Sequence, residues 1–260
     1  MRYLKTAAIV TGALGGALLM ASQAVADPIT VDGIEFAPGA IFESAQLYEN
    51  LVSAPGDQLS GFGKVDSING NIDYCANGGA GSCELTFHFY NYTATELTPT
   101  EASFTGGMVD FFADSNPNFN PSDVSTATDG TLFLSTVGHT FTGNDGRTGT
   151  LLATARTGDF TTDQFQGHGS GLLDVTGGDA MAYFDSNIFD DHMDDGGPGA
   201  DLQFISDFSP NSCENTGTNE DICGSGTLKG EIGVPEPSAL GLMGLGLLGL
   251  GFAARRRRRG

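Results

Sequence analysis

Positive charge is scarce in this sequence. Eleven Lys and Arg residues face 32 Asp and Glu, and most of the eleven lie at the two ends. Between residues 27 and 233 the only cations are Lys64, Arg147, Arg156 and Lys229. Against them stand 31 acids (the total less Glu236), for a net charge of −27. Such a surface repels phosphate backbones and anionic lipid, which argues against nucleic-acid binding. It keeps the chain soluble and attracts divalent cations. Tryptophan is absent, so any aromatic platform for sugar rings would have to come from residues such as Tyr90, Tyr92 and Tyr183. Strand aromatics, however, serve more often as core or cross-strand pairs.

Long helices are also missing from the middle of the chain. No stretch between the two ends carries a 3.6-residue apolar period over three turns, and 39 glycines interrupt too often for one. No fixed-period repeat suggests a solenoid. HExxH, Walker and dinucleotide motifs are absent. Gly167-His168-Gly169-Ser170-Gly171 superficially resembles a nucleophile elbow, but that motif needs glycine at 168, where the chain has histidine. The stretch reads more simply as a glycine-rich turn.

Strand patterns fill the middle instead. Leu85, Phe87 and Phe89 alternate with Thr86, His88 and Tyr90, a period of two that puts His88 on an outer face. Further strand candidates are 29–36, 40–48, 59–68, 103–113, 130–137, 148–156, 171–176, 180–185, 202–207 and 226–232, with short helical pieces conceivable at 162–166 and 180–184. Turn signals fall between them at Asp32-Gly33, Asn69-Gly70, Asp129-Gly130, Asn144-Asp145-Gly146 and Gly177-Gly178. This pattern predicts an all-β ectodomain over residues 27–233, an antiparallel β-sandwich or jelly roll.

The four cysteines are Cys75, Cys83, Cys213 and Cys223. In an exported chain an even number reads as disulfides, and four allow three connectivities. Local pairing, Cys75 with Cys83 and Cys213 with Cys223, is favoured because each pair brackets a loop-rich stretch. A zinc site is the rival reading, although the spacings do not suit CxxC knuckles. One acidic loop could hold a metal. Asp190, Asp191, Asp194 and Asp195 offer hard oxygen ligands around a glycine turn, with Asp201 beyond, a chemistry suited to Ca²⁺. An EF-hand fails there, since its third and twelfth positions are Met193 and Leu202. A solvated acidic loop is the alternative.

Both ends read as targeting segments. Arg2 and Lys5, an apolar run over 6–20 and Ala24-Val25-Ala26 predict a signal peptide at 1–26, cleaved before Asp27, rather than an uncleaved anchor. At the other end, 238–254 is 17 residues without a charge. At ~1.5 Å per residue this stretch covers ~26 Å, a short transmembrane helix. Arg255, Arg256, Arg257, Arg258 and Arg259 follow it. Such a flank stays cytoplasmic and places the acidic bulk outside the inner membrane.

Val234-Pro235-Glu236-Pro237, the apolar span and the arginine cluster together (residues 234–260) resemble the PEP-CTERM sorting signal. The resemblance implies an exosortase as partner, with cutting near Pro235-Glu236-Pro237. It also implies a Gram-negative host that makes exopolysaccharide. A second resemblance covers Gly169–Asn187 and Ala200–Phe204, which look like a segment of flocculation-associated PEP-CTERM ectodomains. It implies a role in binding cells into exopolysaccharide flocs. Three functions stand as expectations. The first is a non-enzymatic surface or matrix protein associated with exopolysaccharide, flocculation or biofilm. The second is a calcium-dependent carbohydrate-binding module, and the third a secreted hydrolase with an unfamiliar site.

Overall fold

A computed structural model describes residues 28–76, 78–79, 81–162, 164–189, 199–213 and 217–230. The expected signal peptide, the loop bearing Asp190, Asp191, Asp194 and Asp195, and the expected transmembrane helix lie outside these residues. Among the described residues no helix is long and apolar enough to cross a membrane.

The chain runs through β1 (Ile29–Val31), β2 (Ile34–Phe36), β3 (Ile41–Glu49), β4 (Gln58–Lys64) and β5 (Ser67–Ile68). The long strands β6 (Glu84–Leu97) and β7 (Glu101–Asp114) follow, then β8 (Thr131–His139), β9 (Phe141–Thr142) and β10 (Thr148–Gly149). It ends in β11 (Leu151–Asp159), β12 (Gln164–Gly177), the one-turn helix α1 (Met181–Phe184), β13 (Leu202–Ser209) and β14 (Ile222–Gly230). The turn signals act as their chemistry requires: Asp32-Gly33 and Asn69-Gly70 both take positive φ, the backbone of a tight hairpin.

The all-β antiparallel class is as expected, but the sandwich or jelly roll is not found. One continuous sheet curls shut instead. Its order is β11-β12-β13-β14-β3-β4-β6-β7-β8, with β11 also pairing β7 and β12 also pairing β8. β7 holds β11 through Glu101–Phe104 and β8 through Met108–Ala113. β12 holds β11 through Gln164–Gly171 and β8 through Leu172–Gly177. Thus β8 and β11 lie end to end in one position, and the ring has eight antiparallel staves. The 14-residue strands β7 and β12 make this closure possible, because each is long enough to meet successive partners. Closure also leaves the barrel no unpaired edge.

Glycine and phenylalanine cooperate in the barrel wall. Gly61 and Gly63 of β4 face Phe89 and Phe87 of β6, and a β-carbon at either glycine would overlap the facing ring. Gly167 and Gly171 of β12 face Phe208 and Phe204 of β13 in the same way. The stretch read as a glycine-rich turn is therefore the middle of a strand, whose bare positions leave room for rings on the neighbouring strand. The 180–185 strand candidate is likewise the helix α1.

The two barrel ends differ. Where β3 begins and β14 finishes, the β1–β2 hairpin and α1 form a plug. Phe36 meets Phe133 at 5.8 Å and Phe184 at 5.3 Å, and Ile34 and Phe184 are fully buried. At the opposite end Phe160, Phe165 and Phe208 pack together, with Phe160 stacked on Phe208 at 6.1 Å. A smaller outer cluster joins Tyr48, Phe62 and Phe119 beside Cys213 and Cys223.

Candidate functional site

An eight-stranded barrel has an interior that side chains just fill, or that holds one small ligand. Here a cavity of about 140 Å³ remains inside, toward the end away from the plug. Its wall is almost wholly apolar, from Phe42, Val65 and Phe111 at mid-barrel to Leu51, Leu97 and Phe160 near the rim. Among the described residues, Glu49 and Tyr92 are the titratable side chains that line it.

Glu49 is the anomaly. It sits at the end of β3, paired with Ile222 and Gly61, and is 7 % exposed. Alternation from Phe42 would turn it outward. A register shift between β3 and β14, at Gly224/Gly226, reverses the parity, so Leu47 and Glu49 point inward together with Phe42 and Ser44. Among the described residues no group hydrogen-bonds to its carboxyl, and burial pushes its pKa up to about 8. At neutral pH the group is therefore a carboxylic acid, able to donate one hydrogen bond and accept others. Tyr92, 1 % exposed, has a hydroxyl that also lacks a partner, and burial raises its pKa.

The residues singled out from the sequence have other tasks. The disulfides pair locally, Cys75 with Cys83 and Cys213 with Cys223, and no free cysteine remains among the described residues. Zinc is thus not their ligand. His88 is on the outer face, stacked on Tyr90 at 4.8 Å; burial, the main cause, lowers its pKa, with Asp110 opposing. Tyr90 donates to Asp110 at 2.9 Å, and Tyr92 is buried in the barrel, so neither is a free platform for sugar. His168 meets Asp207 at 3.0 Å, and Arg156 pairs the same carboxylate at 2.9 Å, an exposed charge cluster on the outer wall. His139 contacts Asp174 at 2.9 Å.

Asp201, placed by sequence beside the acidic loop, is 2 % exposed. It accepts from the backbone N–H groups of Val175 at 2.7 Å and of Ser186 and Asn187 at 2.6 Å. That carboxylate fastens the segment after α1 to β12, and its oxygens are already engaged. Among the described residues, no group of three or more His, Cys, Asp or Glu residues is arranged to hold a metal ion.

Gly230, the last described residue, donates to Ala40 at 2.9 Å beside the plug. Just beyond it, residues 233–258 match the PEP-CTERM protein-sorting motif. The chain carries a PEP-CTERM sorting motif. The motif marks an exported protein, processed by exosortase at the cell envelope or surface. The motif residues Val234, Pro235, Glu236 and Pro237 and the cluster Arg255–Arg259 lie outside the described residues. No curated protein and no solved structure matches the chain.

Sequence reasoning missed Glu49. An acid in a strand reads as outward-facing, and the register shift that turns it inward depends on a partner strand far along the chain.

Proposed function

We propose that the protein is a non-enzymatic component of the cell surface or extracellular matrix, associated with exopolysaccharide and with cell aggregation. The observation that carries this reading is the sorting motif that follows the last barrel strand. The chain thereby delivers a closed, acidic barrel to the envelope. The described histidines fit the reading: His88 stacks on Tyr90, His139 meets Asp174, and His168 meets Asp207 and Arg156. A closed, disulfide-stapled barrel without free edges suits long residence outside the cell, where repair is not available.

The test is deletion of the gene, scored for aggregation and for polysaccharide retained by the cells. Loss of both is expected, with restoration by the unaltered gene and not by a Pro235→Ala/Glu236→Ala variant. Full rescue by that variant would remove dependence on sorting, and unchanged aggregation in the deletion strain would remove the surface role.

A further inference from the structure

An unpartnered carboxyl group inside an apolar barrel is costly, since a buried polar group without a hydrogen bond forfeits solvation with no return. Replacing Glu49 by a hydrocarbon side chain would remove that cost, so the carboxyl group calls for a use. Four observations bear on it. The carboxyl lines a cavity of about 140 Å³. Glu49 as a residue is more than nine-tenths buried. The remaining wall is mainly Phe, Leu, Ile, Val and Ala side chains, with Ser44, Asn50, Tyr92, Ser206 and Thr227 as its polar members. Neither Lys, Arg nor His lines the space, so no cation within it is available to neutralise an ionised Glu49.

We infer that the barrel interior is a binding site for a small neutral amphiphile, whose apolar body fills the cavity and whose single hydroxyl head hydrogen-bonds to Glu49. Size sets the first limit. A dry apolar cavity of about 150 Å³ accepts benzene, so the occupant is a single aromatic ring or an aliphatic body of similar volume. Charge sets the second. An anion would enter a strongly acidic protein and meet a carboxyl group. A cation would need Glu49 ionised, and both charges would have to shed water, a penalty that mutual attraction repays poorly in such an interior. A hydroxyl group demands neither. It can accept from the protonated Glu49 and donate back to its carbonyl oxygen.

Phenol and toluene separate the parts of this proposal, being nearly equal in shape and differing in the hydroxyl group. Calorimetric titration of the disulfide-intact protein at pH 6.5 is expected to show phenol binding roughly tenfold more tightly than toluene, as one added hydrogen bond would give. Glu49→Leu should weaken phenol roughly tenfold and leave toluene unchanged or tighter, while Glu49→Gln, which keeps a donor and an acceptor, should retain phenol. Ala153→Phe, which fills the cavity, should abolish both. Equal affinity for phenol and toluene in the unaltered protein, or undiminished phenol binding by Glu49→Leu, would overturn the role of the carboxyl group. Uptake of neither compound at millimolar concentration, undiminished binding by a folded Ala153→Phe variant, or a preference for hexylammonium over phenol would overturn the site itself. Should Ala153→Phe fail to fold, the two Glu49 variants still decide.

Discussion

Phe89 lies over Gly61 on the adjacent strand, its ring occupying the volume that a β-carbon at residue 61 would need. The same device recurs at Gly63 with Phe87 and at Gly171 with Phe204. At these positions the ring of a neighbour covers the bare backbone and supplies the packing that glycine lacks. At Gly61 the carbonyl of Tyr48 and the side chain of Glu49 crowd the same point, so a substitution has no direction in which to relax.

Gly61→Ala is therefore expected to destabilise the barrel by about 2–3 kcal/mol, the upper part of the usual range for overpacking. Gly146→Ala, at a positive φ but with open space around it, should cost about 1 kcal/mol through backbone strain alone. Urea denaturation of both variants checks the order. Equal losses would mean that the ring contacts at Gly61 carry no special weight.

Glu49 makes a prediction about pH. Its pKa rises from an ordinary 4.5 to about 8 on folding, so between those values the native state keeps a proton that the unfolded chain has released. Stability then falls as pH rises through this window, by at most ~1.4 kcal/mol per unit, and levels off above the folded value. Asp32, Glu84 and Glu220, each also pushed up first by burial, contribute with the same sign. Glu49→Gln should flatten the slope between pH 6 and 8. Denaturation midpoints at four pH values decide it, and an unchanged slope in the variant would assign the effect elsewhere.

How far the sequence revealed this molecule depended on the reach of each interaction. β6 was legible because alternation over Leu85, Phe87 and Phe89 is local, and Asp32-Gly33 was legible because a tight turn needs only its own two residues. Barrel closure was not, since it depends on β7 and β12 each changing partner half-way along. The run Gly167–Gly171 misled for a related reason: what makes those glycines a strand is Phe204 and Phe208, which belong to a different element. Asp201, which follows the acidic loop in sequence, is a buried acceptor, its role set by three N–H groups that composition does not reveal. Glu49, the centre of the candidate site, was hidden by a one-residue change of register.

Asp201→Ala should be among the most destabilising changes. Three backbone donors would lose their acceptor at once, and each unsatisfied buried donor costs ~1–3 kcal/mol, so a loss of at least about 3 kcal/mol is expected. Asp201→Asn, which keeps one acceptor oxygen, should cost less. Hydrogen exchange of the Val175, Ser186 and Asn187 amides would show the opening directly. Full protection in Asp201→Ala would contradict the account.

The disulfides should act independently, since Cys75–Cys83 lies beside the plug and Cys213–Cys223 on the outer wall. Each closes a short loop, worth ~2–3 kcal/mol in the chain-entropy account. Paired Cys→Ala variants should lower stability by about that amount each, and the quadruple variant by nearly the sum. Strong non-additivity would reveal coupling between the plug and the outer wall.

The hydrogen bond from Gly230 to Ala40 fixes where the described chain leaves the barrel. That point lies beside the plug, whereas the cavity lies toward the other end. The sorting motif at residues 233–258 therefore follows from the end that does not lead to Glu49. Processing there would change what is attached to the plugged end and leave the lining of the cavity as it is.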